Sequence, residues 1–169
     1  MTTLTENDVI EQLDASDDLL SFMTTANAIL LLGIKRFLPS LFVNNDEEIV
    51  EYAVKPLLAQ SGPLDDIEVS LRLIFALGKI DKWLYADINH FSGFCHYLEG
   101  QEAIPGFADD ITWDFISNLQ SITRNDSLFG ALKSMKFADF AAWSEVRFTV
   151  MVKTALTLAV TTILKELTP

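Results

Sequence analysis

The thiol and imidazole side chains that lie close together in the sequence are His90, Cys95 and His96. Zinc sites usually combine two such ligand pairs, and this chain holds one cysteine and two histidines in all. On a helix with 3.6 residues per turn, Cys95 and His96 point about 100° apart. They are therefore badly placed to share an ion or to form a nucleophile–base pair. We expect a buried cysteine, partly exposed histidines, no metal site and no cofactor.

Paired aspartates are the second constellation with possible acid–base chemistry. Each pair follows a predicted loop and opens a predicted helix, where capping and the helix dipole already explain it. The pairs are Asp17 with Asp18, Asp65 with Asp66, and Asp109 with Asp110. The sequence also lacks a glycine-rich phosphate loop, a serine elbow and a histidine-based metal motif. We therefore predict no catalytic residues and no enzymatic activity.

The apolar spacing that must position these residues is helical along most of the chain. It predicts an all-α, compact single-domain bundle over residues 1–169, with about seven to eight helices. Thr5 and Asp8 indicate a capping box, while Ser16 and Asp87 are the expected N-caps of later helices. The last helix is expected to begin at Asp139 and to form the centre of the bundle, because it is apolar over most of its circumference. Its β-branched residues leave a strand open at 149–152 and at 159–163.

Two apolar runs, 22–34 and 148–164, raise the question of a membrane. The first is too short to span a bilayer, and the second carries a lysine and several threonines. We interpret both as core helices. Because the chain opens with acidic residues and not with a basic region, we expect no signal peptide. A single cysteine favours a reducing compartment, so the expected location is the cytoplasm.

The net charge of −12 is concentrated in two stretches that contain no lysine or arginine, residues 1–34 and 83–123, each with six acids. A field of this kind attracts basic partners and repels nucleic acid and anionic membrane. Bases cluster nowhere beyond Lys35 and Arg36, so nucleic-acid binding is not expected.

The stretch 83–123 combines its acids with many aromatic residues, the composition of an interface with an apolar centre and a charged rim. We therefore predict it as a protein-binding surface. The expected charged contacts are Asp87, Glu99, Glu102, Asp109, Asp110 and Asp114, and the expected anchors are Tyr97, Phe107 and Trp113.

In size, acidity and lack of a catalytic motif, the chain resembles the immunity proteins of bacterial contact-dependent growth inhibition systems. Its opening residues 1–10 and the apolar run 28–33 add to this resemblance. The resemblance implies a one-to-one complex with a cognate basic toxin domain, such as a nuclease, and no direct contact with nucleic acid or membrane. Two alternatives stay open: an acidic helical scaffold or regulatory subunit, and a small-ligand-binding helical enzyme.

Overall fold

The computed structural model describes residues 4–139 and 143–169, and every regular element in these ranges is helical. The helices are α1 (Glu6–Asp14), α2 (Leu19–Phe37), α3 (Glu47–Ile49), α4 (Lys55–Leu58), α5 (Ile67–Ala76), α6 (Lys82–Glu99), α7 (Asp110–Ser117), α8 (Gln120–Thr123), α9 (Asp126–Lys136) and α10 (Glu145–Glu166). A 3-10 turn (Leu38–Leu41) extends α2, and a π-helical turn (Val50–Val54) joins α3 to α4. The predicted all-α bundle is confirmed, and both stretches for which a strand stayed open are helical.

The three long helices α2, α6 and α10 form the centre of the molecule. Helix α2 packs along α6, and α10 contacts α1, α2, α6, α8 and α9. Each long helix supplies a fully buried phenylalanine: Phe22, Phe91 and Phe148. Burying one such side chain stabilises the fold by about 1.5–3 kcal/mol. The prediction of a long, central C-terminal helix is therefore confirmed.

Helix α10 is less completely buried around its circumference than its apolar sequence indicates. Val146 and Val150 are 75% and 61% exposed, so one side of the helix faces solvent with apolar groups. Thr154, Thr157, Thr161 and Thr162 on the same helix donate to carbonyls of their own preceding turn, as Thr154 does to Val150 O at 2.8 Å. This bonding explains how the helix carries many hydroxyls beside an apolar core.

Among the described residues, two helices are long and apolar enough to cross a membrane, judged by length and composition alone. They are α2 with its 3-10 extension (Leu19–Leu41) and α10 (Glu145–Glu166). A helix at the centre of a bundle has the same length and composition, and both segments contribute to the single buried core.

Side-chain caps fix the starts of the first two helices. The Thr5 and Asp8 capping box forms as predicted, with Thr5 N donating to Asp8 Oδ2 at 2.7 Å. Helix α2 is capped by Asp18, which accepts from Ser21 N at 2.8 Å. These hydrogen bonds lower the pKa values of Asp8 and Asp18, because they stabilise the charged carboxylates. The prediction of Ser16 as the cap is wrong: Ser16 is buried.

Other expected helix boundaries differ as well. Asp87 is not the N-cap of its own helix; it lies inside α6, which begins five residues earlier at Lys82. The last helix does not begin at Asp139, because its N-cap is Ser144, whose side chain accepts from Arg147 N. Gly78, in the left-handed region at φ 66°, turns the chain between α5 and α6.

Residues 42–58, which we call the arm, lie at the edge of this core and pack against it through Phe42, Leu57 and Leu58. No residue of the arm is buried, and its helical turns contact mainly one another. The π-helical turn ends two residues before Pro56, which has no N–H and whose ring would clash in a regular α-helix with the carbonyl four residues earlier. The backbone hydrogen bonds of the helix widen to a spacing of five residues and avoid that clash, so that Lys55 N donates to Val50 O.

Candidate functional site

Two of the nine residues predicted for the acidic and aromatic stretch are core residues. Asp87 is fully buried, and Phe107 is only 6% exposed and packs edge-on against Phe22 at 5.7 Å. Neither can touch a partner at the surface. For both, the prediction of a surface contact is wrong, because it rested on residue type and not on the position of the side chain within the fold.

The Asp87 carboxylate is the polar joint between α6 and α8. Its two oxygens accept from Gln120 N at 2.9 Å and from Ser121 N at 2.7 Å. These are the first two N–H groups of α8, which otherwise lack partners within that helix. An acid of the predicted interface is therefore a cap supplied from another helix.

Two further predicted acids hold the turn before α7 in place. Asp109 accepts from Gly106 N at 2.8 Å, within its own loop. Asp110 forms an ion pair with Lys136 of α9 at 2.6 Å, and the nearby ammonium lowers the pKa of its carboxyl. The absence of bases between residues 83 and 123 is thus partly compensated by a lysine from outside the stretch.

The remaining predicted residues are at least partly accessible. Tyr97 is 44% exposed, and Glu99 lies 3.6 Å from the exposed His96. Glu102 and Asp114 are exposed. Their role in binding a partner remains a prediction.

Trp113 belongs to an aromatic cluster between α7, α9 and α10. It stacks on Phe129 and meets Phe137 edge-on, with both ring centroids at 5.8 Å. It also contacts the buried Phe148. Trp113 is half-buried, and these contacts pack α7 against α9 and α10.

The thiol and imidazoles do not converge. Cys95 is buried, where desolvation raises the pKa of its thiol, while His90 and His96 are exposed. Within the ranges 4–139 and 143–169, no three His, Cys, Asp or Glu side chains come together as metal ligands.

The structure assembles a polar cleft that the sequence reasoning missed. It lies where the start of α6, helix α8 and the end of α10 meet, and its volume is about 380 Å³. Its lining is mostly polar: Asp81, Trp83, Gln120, Ser121, Arg124, Asn125, Thr162 and Glu166. We call it the α6–α8–α10 cleft. About 40 residues separate each contributing segment from the next, so no local motif could have revealed it.

A cation and a buried hydroxyl are the notable groups of this cleft. The Arg124 guanidinium lies over the Trp83 indole, 5.1 Å from the ring centroid, the geometry of a cation–π contact. The Ser121 Oγ is inaccessible to solvent and has no hydrogen-bond partner among the described residues. A second, smaller cleft of about 190 Å³ shares Asp81, Trp83 and Glu166 and adds Lys79.

The comparison with known proteins settles the family. The family model described as MtlR, mannitol repressor, matches residues 5–168. The chain belongs to the mannitol repressor family. Curated relatives of this family member include proteins named Fumarase E from Shigella flexneri and from Escherichia coli K12, 78% and 77% identical over the full length of both chains. The mannitol operon repressor of E. coli K12 is 40% identical over 105 residues, which are 62% of this chain and 53% of that protein.

Solved structures extend the comparison for this mannitol repressor family member. The crystal structure of a possible transcriptional regulator, YggD from S. flexneri, matches with a TM-score of 0.93 and 78% identity. That match covers 98% of this chain and 100% of the other. The E. coli MtlR–HPr complex matches with a TM-score of 0.77 and 26% identity, covering 96% of this chain and 97% of the other.

The expectation of an immunity protein for a contact-dependent growth inhibition toxin is wrong. The matched family is one of repressors and regulators, and the partner in the matched complex is HPr, not a toxin domain. Size and acidity are common to many protein-binding domains, so they could not distinguish these classes. The alternative of a regulatory subunit agrees better with the family.

Proposed function

We propose that this chain is a cytoplasmic regulatory protein, a single domain over residues 1–169, that acts by binding a partner protein of the HPr type. The observation that carries the proposal is the family match over residues 5–168, which extends to the MtlR solved with HPr. The net charge of −12 favours a protein partner over DNA, because DNA binding depends on clustered bases that neutralise phosphates. Regulation of this kind requires no catalysis by the chain itself.

The arm is the surface that we assign to the partner. Val43 is 87% exposed and Tyr52 is 81% exposed, the largest values among the exposed large apolar side chains of the described residues. Exposed apolar groups rimmed by charge are typical of protein-binding sites, and a tyrosine is a frequent anchor in them.

The charge of the arm defines the chemistry of the partner's surface. The arm carries four acids, Asp46, Glu47, Glu48 and Glu51, against the single base Lys55. Lys55 is already paired with Glu51 on the same face. The complementary partner therefore presents basic residues around an apolar centre, and association should weaken as the salt concentration rises.

Calorimetric titration with purified HPr tests the proposal. We expect saturable binding by the wild-type chain and a loss of at least roughly 10-fold in affinity for Tyr52→Ala, the usual effect of removing an anchor residue. Val150→Ala is the matched control, because Val150 is also exposed and apolar but lies on α10. No binding by the wild type would reject the proposal, and an equal loss in both variants would reject the arm as the site.

Hydration of fumarate is a second candidate function, favoured by the two full-length relatives named Fumarase E. Hydration adds the oxygen of water to one alkene carbon and a proton to the other. An enzyme therefore needs cations for two carboxylates, a base for one proton of water and an acid for the carbon. The α6–α8–α10 cleft and its smaller neighbour hold Lys79, Arg124, Asp81 and Glu166. Loss of fumarate's ultraviolet absorbance with purified protein would support this function, and its absence would reject it.

A further inference from the structure

We propose that this chain pairs with a second copy of itself, with the arm of each copy lying on the α9–α10 corner of the other. The α9–α10 corner is the end of α9 and the start of α10, marked by Lys133, Phe137, Val146 and Arg147. The pairing itself rests on the surfaces of this chain, whereas its consequence for regulation rests on the proposed function. A pair of this kind covers the surface assigned to the HPr-type partner.

The most exposed large apolar side chains of the described residues lie at these two places. Val43 and Tyr52 on the arm are 87% and 81% exposed, and Val146 and Phe137 at the α9–α10 corner are 75% and 71% exposed. Exposed apolar groups that lie close together mark interaction surfaces in soluble proteins. Because both places occur in every copy, each copy supplies the two halves of one contact.

The two surfaces differ in charge. The arm holds four acids and one base, whereas residues 124–165 hold six of the chain's 12 bases and only three of its 24 acids. Each copy has a net charge of −12, so two copies repel each other unless their contact sets acids against bases. A contact between the arm and the α9–α10 corner satisfies this condition, and a contact between two arms does not.

The charged groups on both sides are available for a contact between copies. Lys133 and Arg147 are exposed, and no described residue forms an ion pair with either of them. On the arm, Glu47 and Glu48 are exposed and likewise form no ion pair with a residue that the structure describes. Complementary charges of this kind speed the encounter of two surfaces and fix their register.

The α9–α10 corner offers a firm surface to the tyrosine of the arm. Lys133 Nζ lies 4.5 Å from the centre of the Phe129 ring, and Phe137 meets Trp113 edge-on with the ring centroids 5.8 Å apart. Trp113 in turn stacks on Phe129. Side chains four residues apart share a face of a helix, so Phe129, Lys133 and Phe137 form a row along α9. A tyrosine ring can bind such a row through ring stacking and a cation–π contact.

Exchange of the two arms closes the pair. A single contact between different surfaces of two copies leaves one arm and one corner open, so that further copies add in a chain. When each copy gives its arm to the other, both contacts form around a two-fold axis and neither surface stays open. The arm is then hidden from an HPr-type partner, and dilution or a tightly binding partner exposes it.

Sedimentation velocity over a series of protein concentrations tests the pairing. We expect the wild-type chain to change from one copy to two as the concentration rises. Tyr52→Ala and Lys133→Glu should each raise the dissociation constant at least roughly 10-fold, because each removes part of both contacts. Lys82→Glu is the matched control for the charge reversal, since Lys82 is also exposed but begins α6. All three side chains are exposed, so circular dichroism should show an unchanged fold.

A mixture of two variants separates arm exchange from other ways of pairing. The Tyr52→Ala chain keeps an intact corner and the Lys133→Glu chain keeps an intact arm, so together they form one of the two contacts. The mixture should therefore associate more tightly than either variant alone. A mixture that associates no more tightly would overturn the exchange. A wild type that stays monomeric, or a dimer that both variants leave unchanged, would overturn it as well.

Calorimetry with HPr keeps the pairing distinct from the proposed function. Lys133→Glu should bind HPr at least as tightly as the wild type does, because its arm is intact and no longer covered by a second copy. Weaker HPr binding by Lys133→Glu would overturn the inferred competition between HPr and the second copy. A wild type that pairs but does not bind HPr would reject the proposed function and leave the pairing intact.

Discussion

The buried Asp87 carboxylate provides the sharpest test of how the helices are held together. In Asp87→Ala, the N–H groups of Gln120 and Ser121 lose their acceptor, which is a fully buried carboxylate. Hydrogen bonds to a charged group contribute about 1.5–3 kcal/mol each, so two of them give roughly 3–5 kcal/mol after allowance for partial relaxation. That is a large part of the 5–15 kcal/mol by which a typical domain is stable, as an order-of-magnitude estimate.

Urea unfolding followed by far-ultraviolet circular dichroism measures this loss. In thermal unfolding, a loss of 3–5 kcal/mol in the free energy of unfolding of a chain of this length corresponds to a fall in melting temperature of roughly 6–20 °C. Asp87→Asn should recover only part of it, because its amide group has one acceptor oxygen and turns an N–H toward the second donor. Asp114→Ala is the control: Asp114 is exposed, and its loss should change the free energy of unfolding by less than about 0.5 kcal/mol. Equal effects of Asp87→Ala and Asp114→Ala would refute the capping role of Asp87.

Three further predictions follow from close packing, charge and burial. Gly62→Ala places a Cβ 2.5 Å from Pro56 O, in the turn that follows the arm, so it should lower the free energy of unfolding by roughly 1–3 kcal/mol in urea unfolding. Gly93→Ala, in open space on α6, should leave the free energy of unfolding unchanged or raise it. The aspartates whose pKa values are lowered in the fold contribute their full stabilisation above their unfolded pKa of about 3.9. The free energy of unfolding should therefore stay level down to about pH 5 and fall below about pH 4. A level profile down to pH 3 would contradict this prediction. Cys95 should react with a thiol reagent on the order of 100-fold more slowly in the native chain than in denaturant, because it is buried and its pKa is raised; equal rates would contradict its placement.

Local signals in the sequence predict the helices and the first cap well. The Thr5 and Asp8 capping box is a contact between residues three apart, so spacing alone reveals it. The apolar repeat of α10 likewise marks a core helix. The extent of each helix is less predictable, because an aspartate such as Asp87 looks like an N-cap wherever a helix is expected to begin.

The contacts that define candidate sites join residues far apart in the chain. Asp87 caps a helix 33 residues away, and the α6–α8–α10 cleft brings Asp81, Arg124 and Glu166 to one place. Nothing in the local pattern links these positions. The charge pattern indicates a protein-binding domain but cannot identify the partner, because acidity is compatible with many basic surfaces. The family match identified the class of protein, which the charge pattern could not.

Direct titration of the chain with HPr tests the central claim, that this is a regulator acting through a protein contact. The mannitol repressor of E. coli, solved as a complex with HPr, is the positive control. We predict saturable binding that weakens with salt, falls at least roughly 10-fold in affinity in Tyr52→Ala and is retained in Val150→Ala. An absence of binding by the wild-type chain, under conditions where the control protein binds, would contradict it.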